Sequence, residues 1–176
     1  MRLMAKTLGT HWIATTYGTW LHGDPRGSWK DGQLIGPDPF LHEQSQCLMS
    51  HDAVVLDQRE RDMVADSFGR TIRSYGYRAF TATIGATHVH VVFGPLGDPF
   101  SIVVARLKKQ ASNVVLSARR SRGHNAGPTM WTKRPFPRFL FDENHVLNAI
   151  EYVRRHNLRA GLPKDPYPWL VAWSGW

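Results

Sequence analysis

The chain of 176 residues carries a single cysteine, Cys47, and a formal net charge of +8. One cysteine excludes both an internal disulfide and a cysteine metal cluster, and it suits a reducing cytoplasm. No stretch approaches the roughly 20 apolar residues of a membrane span, and the first 18 residues lack the apolar segment of a signal peptide. We therefore expect a cytoplasmic protein that has no membrane partner and folds as a single domain over residues 1–176.

The first half of the chain predicts strands around one helix. Residues 10–17 are rich in β-formers and predict a strand, whereas residues 18–55 are interrupted by Gly and Pro and predict a long insertion loop. Asp57, followed three residues later by Glu60, can cap a helix over residues 56–75. Strands are predicted at residues 77–85 and 88–93.

The second half predicts two further helices. The first spans residues 100–117 and leads into a basic turn or loop. Residues 129–141 resemble a strand whose prolines place it at a sheet edge, and Asp142 caps a helix that runs to about residue 156. An extended tail follows over about residues 163–176. This order predicts an α+β fold, a ferredoxin-like antiparallel sheet with helices packed on one face.

The positive charge is concentrated in one region. Residues 99–141 contain no Asp or Glu but nine basic residues, which are Arg106, Lys108, Lys109, Arg119, Arg120, Arg122, Lys133, Arg134 and Arg138. Such a block in an otherwise balanced chain is typical of a surface that binds a polyanion. Interleaved aromatic residues, with Trp131 and Phe136 as candidates for stacking on bases, favour nucleic acid over a solvated charged face.

The segment ATHVHVVFG, residues 86–94, places two histidines in an otherwise apolar strand. Alternation along a strand puts His88 and His90 side by side on one face, while Val89, Val91 and Phe93 point into a core. Two imidazoles at this spacing can bind one metal ion. For this motif alone, a pair of surface or hydrogen-bonded histidines is the commoner explanation.

The predicted third helix adds a phenol to these candidates. Tyr152 and His156 lie one turn apart at the edge of its apolar stripe. They offer a phenol and a candidate third metal ligand, and Arg154 and Arg155 lie close enough in sequence to meet phosphates. Packing at the core boundary is the alternative role for Tyr152.

Together these features resemble a known family. The histidine pair, the basic helix and the segment DENHVLNAIEYVRRHNLRAGL at residues 142–162 are similar to the single-tyrosine HUH-type transposases. Within that family they are most similar to the branch associated with bacterial repetitive palindromes (REP). The segment TTYGTWLHGDPRGSW at residues 15–29 is similar to a stretch in one subgroup. The resemblance covers nearly the whole chain.

This resemblance implies a ferredoxin-like domain that cuts single-stranded DNA. His88 and His90 would hold Mg²⁺ or Mn²⁺ against a scissile phosphate, and attack by Tyr152 would give a 5′-phosphotyrosine link and a free 3′-OH. The partner would be single-stranded or hairpin DNA, and the protein would be associated with the nucleoid and act as a monomer or a homodimer.

The sequence departs from the family pattern at two places. The position four residues after the tyrosine is usually Asn or Gln and completes the metal site, but here it is His156, with Asn157 beside it. A site of three histidines is softer and favours Mn²⁺ or Zn²⁺ over Mg²⁺. Ala86 and Thr87 replace the usual Pro-Asn before the histidine pair.

Other interpretations remain open. A non-cutting DNA-binding protein of the same fold is the main alternative to the nuclease. A phosphodiesterase with two His-x-Thr/Ser motifs fits poorly, because His11-Trp12-Ile13 lacks the hydroxyl. A structural zinc module has little support without cysteines. In the segment 18–55, Trp20, Asp24 and Arg26 either grip DNA or simply cover the sheet.

Overall fold

The structure, a computed structural model, describes residues 7–30, 33–124, 126–133 and 136–175. Its elements follow in chain order as β1 (Gly9–Thr15), β2 (Ser28–Lys30), β3 (Gln33–Ile35), α1 (Pro39–Cys47), α2 (Gln58–Ser74), β4 (Ala79–Ile84), β5 (His88–Phe93), α3 (Phe100–Ser121), β6 (Phe136–Leu140) and α4 (Glu143–Arg159). None of the helices in these ranges is both long enough and apolar enough to cross a membrane.

Four strands form an antiparallel sheet in the order β4-β5-β1-β6. Ile13 of β1 lies opposite His90 of β5 on one side and opposite Phe136 of β6 on the other. β6 lies at the sheet edge, where Pro137 removes no hydrogen bond that a central strand would need. The predicted α+β class is confirmed.

The helices cover both faces of this sheet, whereas we expected them on one. Val89, Val91 and Phe93 of β5 belong to the core formed with α2 and α3. Val92 of the same strand packs with α4 on the opposite face. The reason is that consecutive residues of β5 are buried, so that a strand of this pattern needs cover on both sides.

Residues 18–55, predicted as a loop, contain a hairpin and a helix. β2 and β3 pair in a separate two-stranded sheet. Asp38 caps α1 by accepting a hydrogen bond from the Leu41 N–H at 3.0 Å, and Pro39 occupies the first turn. No residue of α1 is buried, so the sequence lacks the apolar periodicity that would have predicted this helix.

A cluster of charges joins the start of α2 to the end of α3. Asp57 and Glu60 form the predicted capping box. Glu60 is only 3% exposed and accepts hydrogen bonds from Arg119 at 2.7 and 2.8 Å and from Arg122 at 3.0 Å. The hydrogen bonds from Arg119 lower the pKa of Glu60. α3 continues to Ser121, beyond the predicted end at residue 117, which places Arg119 in the helix.

Replacement of Arg119 by methionine is expected to lower the free energy of unfolding by about 2–4 kcal/mol, because the buried Glu60 carboxylate keeps only Arg122 as its arginine partner. The pKa of Glu60 lies below its ordinary value of 4.5. The full loss is therefore expected above that pH and should shrink as acid protonates the carboxylate. Urea denaturation at several pH values measures it. Arg120→Met, at an exposed neighbour, should change stability by less than about 0.5 kcal/mol. Equal losses in the two variants would contradict the role of the ion pair.

The chain after α4 runs along β4, at the sheet edge away from β6. The Val171 N–H donates to the Ala79 carbonyl at 2.9 Å, and the Ile84 N–H donates to the Tyr167 hydroxyl at 3.2 Å. Trp169 is buried over Gly69 of α2, where a Cβ atom would overlap the indole. These contacts cover one of the two exposed sheet edges.

Candidate metal and nucleophile site

Three histidines meet on the sheet face that α4 covers. β5 carries His88 and His90, and α4 carries His156. The ring centroid of His90 lies 5.2 Å from that of His88 and 4.9 Å from that of His156. One candidate ligand nitrogen from each ring lies within 4.8 Å of the other two. The structure therefore brings together the three residues that the sequence predicted as metal ligands.

Tyr152 lies over this cluster because of how α4 packs. The apolar stripe of α4 is buried against the sheet through Val146, Ala149, Ile150 and Val153. The phenol projects from the edge of that stripe, with its ring centroid 5.8 Å from that of His90 and 4.8 Å from that of His156. The side chain is 49% exposed, which does not fit a role in core packing alone. A candidate nucleophile and a candidate metal-binding cluster thus share one surface.

These residues line a cavity of about 260 Å³. Its floor is formed by β1 and β5 residues, including Ile13 and Thr15, and one wall by Tyr152 and His156. Thr19, Trp20 and Arg26 form another wall. The segment 18–55, for which the sequence allowed either DNA binding or covering of the sheet, therefore borders the site.

His11 of β1 is a site residue that sequence reasoning missed. Its Nε2 lies 3.0 Å from Nδ1 of His90, within hydrogen-bonding distance, and both side chains are buried. This contact engages Nδ1 of His90 and leaves Nε2 as its remaining ligand atom. The pairing of β1 with β5 creates the contact. Alternation along the predicted strand 10–17 indicates only that His11 and Trp12 lie on opposite faces.

The pKa values of the four histidines of this site lie below the ordinary value of 6.5, which favours the neutral imidazole. Burial, followed by the charges of Arg138 and His156, lowers the pKa of His11 to about 4. Burial, followed by the neighbouring histidines, lowers the pKa of His90 to about 2. Burial also lowers the pKa of His88 and of His156. Neutral imidazole is the form that binds a metal, so the chemistry of this donor set fits a divalent ion.

Asn157, the other residue considered as a ligand, faces away from the cluster. Its side-chain amide donates to the carbonyls of Ala82 and Lys164, both at 2.9 Å, and the residue is fully buried. It therefore joins α4 to β4 and to the following segment. His156 is the residue of this pair that reaches the histidine cluster.

Those of the predicted DNA-binding basic residues that the structure describes lie on both faces of the sheet. Those of α3 lie on the side of the sheet opposite to α4, and several have partners within the chain. Arg106 pairs with Asp98 and covers the Tyr75 ring. Lys108 donates to the Thr132 carbonyl at 2.8 Å, and burial lowers its pKa to about 8. The Glu60 pairs already described engage Arg119 and Arg122.

The remaining basic candidates are distributed over the molecule. Arg154 pairs with Asp165, and Arg155 pairs with Glu151 at 3.4 Å. Among the described residues, Lys109, Arg120, Lys133 and Arg138 are exposed, as are Arg122 and Arg155. Arg138 lies opposite His11 on β6, beside the site, whereas Arg134 lies outside the described residues.

The expectation that Trp131 stacks on bases is wrong for this conformation. The residue is only 5% exposed and packs against Phe68, and its indole N–H donates to the Lys108 carbonyl at 3.2 Å. Apolar burial beneath α3 explains its presence in the basic segment. Phe136, in contrast, is 52% exposed and shares the sheet face of Ile13 and the histidine cluster.

The fold and the site define a class: an α+β protein whose antiparallel sheet presents a histidine cluster and a tyrosine on one face. The chain is similar to the solved structure of a REP-associated tyrosine transposase bound to a REP hairpin, with a TM-score of 0.52 and 14% identity over 93% of this chain and 74% of that chain. A candidate transposase from Deinococcus radiodurans R1 aligns with a TM-score of 0.49 and 15% identity over 88% of this chain and 95% of that chain.

Sequence comparisons give no further relatives. No protein-family model matches the chain, and no curated protein matches it. At 14% identity, the likeness to the REP-associated transposase concerns the fold. It confirms the transposase-like fold that the resemblance of the sequence implied.

Proposed function

We propose that this protein is a transposase-type enzyme that cuts single-stranded DNA and transfers the cut strand through a covalent bond to Tyr152. The observation that carries the proposal is the placement of the Tyr152 ring over three histidines in one open cavity. The shared fold supports it, since the similar transposase was solved with a REP hairpin. Single-stranded or hairpin DNA is the substrate class that we infer.

In the proposed reaction the Tyr152 hydroxyl oxygen attacks the phosphorus of a DNA phosphodiester. A phosphorus–oxygen bond to tyrosine forms, and the bond from phosphorus to the 3′ oxygen of the upstream nucleotide breaks. The phenol loses its proton and the leaving oxygen gains one, which yields a 5′-phosphotyrosine and a free 3′-OH. Attack by another 3′-OH reverses the step and joins two strands. Because the bond energy is kept in the tyrosyl ester, no nucleotide cofactor is required.

His88, His90 and His156 would hold a divalent ion. When bound, the ion supplies charge stabilisation at the phosphate oxygens and helps orient them. Three nitrogen ligands favour Mn²⁺ over Mg²⁺ compared with a site that contains an amide oxygen. His11 would keep the His90 ring in its orientation through their hydrogen bond.

Exposed cations near the cavity would bind the DNA backbone. Arg138 lies next to His11, and Arg155 extends from the outer face of α4. The cations of α3 would contact DNA only where a strand or hairpin passes around the molecule, since that helix lies on the opposite face. Each such phosphate contact adds to the salt dependence of binding.

The proposal is tested by looking for a covalent protein–DNA adduct. The full chain is incubated with Mn²⁺ or Mg²⁺ and a pool of hairpin-bearing strands with randomised single-stranded flanks. On a denaturing gel, label at the 3′ end of the DNA should migrate with the protein, whereas label at the 5′ end should be released as a free fragment. A chelator should prevent both results. Binding without any adduct under these conditions would overturn the nuclease and favour the non-cutting DNA-binding protein.

A further inference from the structure

Trp20, in the cavity wall formed by the segment before β2, has no part in the chemistry described so far. It lines the same cavity as Tyr152 and the histidine cluster. Its indole N–H donates to the Gly27 carbonyl at 2.7 Å, which anchors the ring. Even so, 42% of the residue is exposed, whereas Trp131 and Trp169 are buried in the core. An anchored aromatic ring that remains open to a cavity is suited to stacking on a planar ligand.

Arg26 stands beside Trp20 and is held in one position. Its Nε and Nη2 donate to the two carboxylate oxygens of Asp24, both at 2.7 Å, and Nη2 also donates to the Thr19 carbonyl at 2.8 Å. The guanidinium carbon lies 4.9 Å from the centre of the Trp20 ring. The Asp24 side chain is buried, but that of Arg26 is 56% exposed. A guanidinium that is already ordered loses little freedom when it binds a phosphate.

We propose that Trp20 and Arg26 form a nucleotide subsite, in which Trp20 stacks on a base next to the reacting phosphate and Arg26 binds a flanking phosphate. The inference rests on the proposed function and adds to it the group that positions the strand. A cavity of about 260 Å³ is small beside the roughly 300–1,000 Å³ pockets that enclose whole small molecules. It suits one base of a strand whose remainder lies outside.

The subsite gives the segment before β2 a role beyond covering the sheet. Stacking tolerates any base, so Trp20 would hold the strand without selecting a sequence. Arg26 would fix the position of the backbone relative to Tyr152, because the buried Asp24 limits its movement. Together they would set which phosphate of a bound strand reaches the phenol.

The test measures binding in a Tyr152→Phe background, where no strand can be attached. Fluorescence anisotropy compares an oligothymidylate with an abasic strand that has the same number of phosphates. Trp20→Leu should weaken binding of the oligothymidylate about 5- to 100-fold and leave binding of the abasic strand unchanged. Trp20→Phe should restore most of the affinity. Arg26→Gln should weaken both strands and reduce the slope of log affinity against log salt by about 1.

Matched controls lie outside the cavity. Phe40→Leu on α1 and Arg70→Gln on α2 remove an exposed aromatic ring and an exposed arginine of the same kinds. The subsite is overturned if Trp20→Leu affects both strands equally, or if it has no more effect than Phe40→Leu. The role of Arg26 is overturned if Arg26→Gln weakens DNA binding no more than Arg70→Gln does.

A second measurement leaves Trp20 intact. A strand containing 5-iododeoxyuridine is irradiated on the protein, and the crosslinked peptide is identified by mass spectrometry. A crosslink at Trp20 is expected, and crosslinks confined to other residues would refute the stacking. The adduct assay on the wild-type chain tests the nuclease separately, since a chain that crosslinks through Trp20 without forming an adduct has the subsite but lacks the cutting reaction.

Discussion

A Tyr152→Phe variant is expected to form no covalent adduct with DNA while it binds the same strands as the wild type. The substitution removes only the oxygen that would bond to phosphorus. The ring, which packs beside His90 and His156, is retained. Loss of a nucleophile reduces turnover on the order of 10⁴-fold or more, so the adduct should fall below detection. The residue is half-exposed, and we expect the free energy of unfolding to change by less than about 0.5 kcal/mol.

Tyr75→Phe provides the matched control for this experiment. Tyr75 is also about half-exposed, but it lies at the end of α2 on the other side of the sheet. The Tyr75→Phe variant also loses one phenol oxygen, and it should form the covalent adduct at the wild-type rate. Adduct formation by Tyr152→Phe would show that another side chain is the nucleophile, and peptide mapping of the adduct would identify it.

Much of the site could be predicted because its spacing is local. Alternation along β5 places His88 and His90 on one face without any knowledge of the tertiary structure. The four-residue interval from Tyr152 to His156 likewise brings the two side chains together on α4. The helix starts at Asp57 and Asp142 were predicted correctly, since capping is a property of a few consecutive residues.

The features that the sequence did not predict depend on contacts between segments that are distant along the chain. His11 meets His90 only because β1 pairs with β5, and no local pattern predicts that pairing or its register. Arg119 reaches Glu60 across the interface between α2 and α3, so a residue of the predicted DNA surface turned out to stabilise the fold. In each case a polar or basic residue had a partner far away in sequence.

The two faces of the sheet have different tasks. The core beneath α2 and α3 contains the large buried side chains Trp12, Phe68 and Phe93, and it fixes the position of β1 and β5. On the other face α4 packs beside a cavity rather than over the whole sheet. β5 therefore carries His88 and His90, and α4 carries both His156 and the phenol, so the packing of this amphipathic helix sets their distance from the strand histidines. This arrangement suits a site in which the nucleophile and the metal ligands must keep a fixed geometry.

Replacement of His90 by glutamine is expected to weaken Mn²⁺ binding on the order of 100-fold or more. His90 is the central residue of the cluster, with the rings of His88 and His156 on either side and its Nδ1 engaged by His11. Glutamine is polar but cannot reproduce a neutral imidazole nitrogen in that position. Isothermal titration of the DNA-free protein with MnCl₂ measures the change, and adduct formation should require correspondingly more Mn²⁺.

His124→Gln is the control for this loss, because His124 is exposed beyond the end of α3 and takes no part in the cluster. Since His90 is buried, thermal unfolding of the glutamine variant must be compared with the wild type. His156→Ala repeats the test at a candidate ligand that is only partly buried, so that its removal disturbs the core less. If both variants fold and bind Mn²⁺ as the wild type does, the three histidines are not a metal site, and any reaction at Tyr152 would have to proceed without an ion held by them.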